Sequence, residues 1–231
     1  MSAEDGPAAE AVDSNRAAVI DVLGVLAYGE LTGFSRLAAD AELAPTIGAK
    51  AMLARLAARE FGHYEMVHRR LGELGVDPEV AMQPFMAALD AFHERTAPST
   101  WLEGLVKAYV GDGIASDFFR EVSAFLDQPT HALVTEVLAD TGQSEFIVAQ
   151  VRAAIAAEPR VAGRLALWGR RLVGEALSQA QRVSADRDGL ADLLVGSPGR
   201  SGMADLAELM AMFGRLTQAH SERLATLGLS E

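Results

Sequence analysis

Glu60 and His63 stand three residues apart in the middle of a helical pattern running over residues 47–71. Positions three apart share a helix face, so the spacing lets a carboxylate and an imidazole converge on one ion. Leu53, Leu56, Val67 and Leu71 recur around the pair at helical spacing, which places it on the buried stripe. An ionised carboxylate alone in an apolar core destabilises a fold by roughly several kcal/mol unless it is paired or bound to a metal. Glu and His also fall three apart by chance in many helices, so this motif alone describes a satisfied polar pair as well as a metal site.

The neighbouring elements add partners. A helix expected over residues 14–43 carries Glu30 on the inward stripe Val19, Leu23, Leu26, Phe34 and Leu37, and ends at Ala44-Pro45-Thr46. Glu30 lies fifteen residues before Pro45 and Glu60 fifteen after it. At about 1.5 Å rise per residue, an antiparallel hairpin sets the two carboxylates at one height. A third helix, expected over 100–126, holds Asp112 on the stripe Trp101, Leu105, Tyr109 and Phe119. A fourth, reaching to about 158, holds Asp140 on the stripe Leu133, Val137, Ile147 and Val151, with Gln143 three residues on. Asp112 and Asp140 are both fourteen residues from Leu126, so a second hairpin is expected to repeat the first. Tyr109, one turn before Asp112, suits either a cavity wall where its hydroxyl meets a ligand, or a core position.

The chain has 231 residues, 50% of them hydrophobic, enough for one well-buried domain. Its expected parts are an acidic disordered tail (1–13), a four-helix bundle (14–158) and two further helices packed on it (159–231). Residues 78–94 form a short helix, Val80, Phe85, Leu89 and Phe92 facing in, within a long crossover between the second and third helices. Strand signals are scarce and no glycine-rich phosphate loop follows one. Cysteine is absent, so any transition metal is held by carboxylate and imidazole. A net charge of −12 argues against general nucleic-acid binding. No uncharged apolar run reaches the roughly 18 residues of a membrane span, and no leader pattern opens the chain, which together lead to the expectation of a cytoplasmic protein with no membrane partner. His68 is five residues from His63, well round the helix, and His93, His131 and His220 are expected at the surface or as capping residues.

The set Glu30, Glu60-x-x-His63, Asp112 and Asp140-x-x-Gln143 resembles the ferritin-like di-iron superfamily over residues 14–158. Within it, the wording Ala27-Tyr28-Gly29-Glu30 and Leu138-Ala139-Asp140-Thr141-Gly142 looks like the tRNA-hydroxylase-like branch and its actinobacterial members. The resemblance implies an all-α ferritin-like bundle with two non-haem iron ions, manganese being the alternative, held by Glu30, Glu60, His63, Asp112, Asp140 and Gln143. Gln143 stands where the pattern has histidine, and both acids of the second hairpin are aspartate, shorter by roughly 1.5 Å. The second half-site is thereby impaired, since an amide oxygen is a poorer ligand for iron or manganese than imidazole. Two functions follow: a hydroxylase, with Tyr109 as its candidate catalytic residue and a small organic molecule or modified nucleoside as substrate, or a metal-poor binding scaffold. A homodimer is an expected assembly, and iron storage is a weaker third reading.

Overall fold

The structure is a computed structural model that describes residues 6–123, 126–139, 143–186 and 202–229, with side chains over 16–123, 126–139, 144–183 and 210–229. Among the described residues there are eight α-helices and no strand. They are α1 (Gly6–Asp40), α2 (Ile47–Glu73), α3 (Pro78–Arg95), α4 (Trp101–Ser123), α5 (Gln128–Val137), α6 (Gln143–Ala157), α7 (Val161–Asp186) and α8 (Gly202–Leu227). Helix α1 starts at Gly6, inside the stretch expected as a tail; Ala8, Ala9 and Ala11 there are the strongest of helix formers.

Helices α1 and α2 form the expected antiparallel hairpin. Their partners step outward evenly from the turn: Lys50 pairs with Glu42, the Glu60 side chain lies over Gly33, and Arg16 donates to the Leu74 carbonyl at 2.7 Å. Thr46 starts α2 by accepting a hydrogen bond from the Ala49 N–H. The helix ends in a Schellman turn, where Gly75 takes a φ of 70° and the Val76 N–H reaches back to the Leu71 carbonyl.

The crossover helix α3 is opened by Asp77, whose side chain accepts from the Glu79 N–H, with Pro78 in the first turn. It runs parallel to α1 in close contact. A Cβ on Gly24 would overlap the Ala81 carbonyl and meet the Phe85 ring at 3.0 Å, so the two helices approach only because position 24 has no side chain. Phe85 is fully buried, whereas Val80, expected on the inward face, is exposed.

The second hairpin departs from expectation. The single helix expected to carry Asp140 at mid-height is interrupted between Val137 and Gln143, giving two shorter helices, α5 and α6. Leu138 and Ala139 already lie outside α5, so a count from Leu126 that assumes one unbroken helix does not apply.

Helix α7 packs on α3 and α4, with the Trp168 indole N–H donating to the Glu103 carbonyl at 2.9 Å. Helix α8 is fixed to α4 by a two-bonded Arg215–Glu121 pair at 2.7 Å each and by Arg223–Asp117. By length and composition α1 would pass as a membrane-crossing helix, although it was not expected to. In the bundle its Val22, Leu23, Leu26 and Ala27 are buried, as is Asp21. The apolar length is used as core.

Candidate metal centre and its cavity

The hairpin register delivers Glu30 from α1 and Glu60 and His63 from α2 to one point. One ligand atom from each lies within 4.8 Å of the other two. His63 Nδ1 is 3.3 Å from Glu30 Oε2, and the Arg59 guanidinium lies 3.5 Å from Glu60 Oε1. The side chains of Glu30, His63 and Glu60 are 11%, 13% and 16% exposed, so water reaches them poorly.

Burial pushes the Glu30 carboxyl up from its ordinary range, and the nearby Asp112 charge adds to the rise, while a hydrogen bond with Glu60 and the Arg59 charge work against it. Glu60 is raised too, first by burial and then by the charge and hydrogen bond of Glu30. Both shifts run against the pair carrying two bare charges. Burial lowers His63, which favours neutral imidazole and a lone pair available for ligation. Two carboxylates and a neutral imidazole within this separation fit one divalent ion, whose ligands stand about 2.0–2.2 Å from it. That donor set suits iron, manganese or zinc.

Asp112 lines the same cavity but is exposed and lies outside this tight set. It was expected on the inward stripe. The side of α4 that packs in bears Leu105, Val106 and Val110, which turns Asp112 to the edge of the cleft. Asp140 and the side chain of Gln143 lie outside the described residues. Tyr109 lines the cavity near Asp112, and its hydroxyl has no hydrogen-bond partner among the described residues.

The cavity measures about 340 Å³ and its walls are mostly apolar, Leu26, Leu56, Phe119, Ile147, Val183 and Leu216 among them. Toward the end of α1 it meets a polar group that sequence reasoning missed. Lys107 is buried, donates to the Thr96 carbonyl at 2.8 Å and lies 5.6 Å from the Phe92 ring centre. Burial lowers its pKa to about 8 despite the neighbouring Asp40. His93, expected at the surface, lines the cavity with Nε2 3.3 Å from Thr32 Oγ1, and burial lowers it to about 3. His220 is likewise buried and not superficial. The available signal was position: His93 directly follows the inward Phe92, and Lys107 interrupts the apolar run Leu105-Val106.

A comparison with curated proteins finds no match to this chain. Over residues 13–197 the chain matches the family described as ferritin-like domain, actinomycetes, and it belongs to that family.

Proposed function

We propose that this protein is a metal-dependent oxidase or hydroxylase that holds an iron or manganese ion on Glu30, Glu60 and His63 and acts on an organic molecule in the adjoining cavity. The observation that supports this reading is that two of the three clustered ligands, Glu30 and Glu60, line an apolar cavity of about 340 Å³. When bound, such an ion supplies one-electron chemistry toward dioxygen. The chain's own part is to hold and shield. Glu30 and Glu60 would balance the charge of the ion, neutral His63 would offer its lone pair, and the apolar walls exclude water from the substrate. A second ion would draw on Asp112, which lines the cavity, and on Asp140, with Gln143 the weakened position.

The interruption between α5 and α6 favours a second reading, a bundle with one ion or none that binds a small molecule. Modified nucleosides in tRNA fit less well as substrates, because a chain of net charge −12 repels phosphate backbones.

Elemental analysis of protein purified without chelator, with melting temperatures measured with and without Fe(II) or Mn(II), tests the proposal. Wild type is expected to hold metal and to melt higher when metal is added, by the mass-action effect of a ligand bound only to the native state. Glu60→Ala is expected to lose that metal, and Gln143→His to gain occupancy. Absence of metal from both wild type and Gln143→His would leave only the binding reading.

A further inference from the structure

Gln179 is a polar residue of the cavity that the proposed chemistry does not use. It sits on α7, is 5% exposed, lines the cavity, and leaves both Nε2 and Oε1 without a hydrogen-bond partner. A buried amide with neither atom paired is costly, and in native proteins such groups mark strain, a ligand or water. Ala176 and Ala180 line the cavity beside it, as do Leu177 and Val183.

The helix pairing also sets its height. Tyr28 bonds to Asp90, and Arg95 to Glu175, so the level of Glu30 on α1 corresponds to the last turns of α3 and, on antiparallel α7, to the turns just after Glu175. Gln179 thus faces the cavity near the level of the candidate metal ligands.

We propose that the cavity binds a largely apolar molecule carrying one neutral group that both donates and accepts hydrogen bonds, an amide or hydroxyl, and that Gln179 selects for it by pairing with that group. The choice of a neutral partner follows from the charges in the wall. The wall carries both signs, Glu30, Asp40, Glu60 and Asp112 against Arg36, Arg59 and Lys107, so no excess of one charge calls for a charged partner. Lys107, the buried cation, is already engaged by the Thr96 carbonyl and attracted by Asp40. Gln179 itself is uncharged and offers one donor side and one acceptor side. The inference deepens the proposed function by naming a substrate class for the same cavity, and it is tested without metal so that the two stand or fall separately.

The experiment uses the full chain treated with chelator. Displacement of the neutral fluorescent dye Nile red is followed for octanamide, 1-octanol and octanoate, three probes with similar tails and different head groups. Octanamide or 1-octanol is expected to displace the dye from wild type at a concentration at least about ten-fold below octanoate, a difference of about 1.4 kcal/mol. Gln179→Met, close in volume and apolar, is expected to raise the melting temperature of the ligand-free protein and to abolish that preference. The pair of opposite effects separates a ligand-binding amide from a merely structural one. A second variant, Ala176→Phe, fills the space beside Gln179 and is expected to block all three probes, which serves if Gln179→Met does not fold. Best displacement by octanoate, an unchanged head-group preference in Gln179→Met, or no binding of any probe by wild type would overturn the proposal. Metal uptake measured separately decides the proposed function, whatever the probes do.

Discussion

Lys107 shows what a single residue contributes to the cavity and what it costs. Its ammonium is held where water is largely excluded, and the Thr96 carbonyl and Asp40 compensate only part of the lost hydration. The folded-state pKa, about 8, lies below the ordinary lysine value of 10.5. Below pH 8 both folded and unfolded chains carry the proton, and the full penalty of the buried charge is present. Between pH 8 and 10.5 the unfolded chain binds more protons, so stability rises with pH over that window. Relative to Lys107→Met, the wild type should gain on the order of 3 kcal/mol across it, at about 1.36 kcal/mol per pKa unit. Urea unfolding of both proteins at pH 7, 8, 9 and 10.5 measures this; a difference that stays flat would show that the ammonium is hydrated in the folded state.

Between helices, the contact that most constrains the site is the approach of α1 to α3 at Gly24. A methyl group there collides with backbone, which cannot rotate away as a side chain does. Gly24→Ala should therefore destabilise the protein by about 1–3 kcal/mol, although alanine is the better helix former. Because α1 also presents Glu30, its displacement should weaken metal binding as well. Thermal melts and metal titrations of Gly24→Ala against Gly72→Ala make the comparison, since a Cβ at Gly72 meets nothing within 4 Å. Equal melting temperatures for the two variants would refute the close-approach account.

In the whole molecule, the C-terminal helices are walls of the cavity and not an appendage. Ala176 and Gln179 of α7 and Phe213 and Leu216 of α8 line it together with α1, α2 and α4. Apolar burial is shared in the same way, since Leu105 and Val110 of α4 cluster with Leu165 and Leu172 of α7 and Leu224 of α8. Denaturant unfolding should then be one transition. Far-UV circular dichroism, which reports all helices, and the fluorescence of Trp101 and Trp168, which reports α4 and α7, should give the same midpoint. Two separated midpoints would make residues 159–231 an independent unit.

The helical class and the Glu30–Glu60–His63 cluster were legible in the sequence because both rest on local rules. Period 3.6 identifies a helix face, and in a tight helical hairpin the rise per residue fixes which residues meet across the turn. Pro45 supplied the turn, so Glu30 and Glu60 could be aligned by counting. The same counting does not carry to the second hairpin, where α5 ends at Val137 and a separate helix begins at Gln143. The rotation of α4 was also beyond local rules. It is decided by how Leu105, Val106 and Val110 pack against later helices, and that packing turns Asp112 toward the cleft edge. Burial of Lys107, His93, Gln179 and His220 likewise depends on partners far along the chain. The sequence by itself thus determined the helices and one half of the candidate site. Only the tertiary structure decided the cavity, because its walls are drawn from helices whose relative rotations are set by packing at long range.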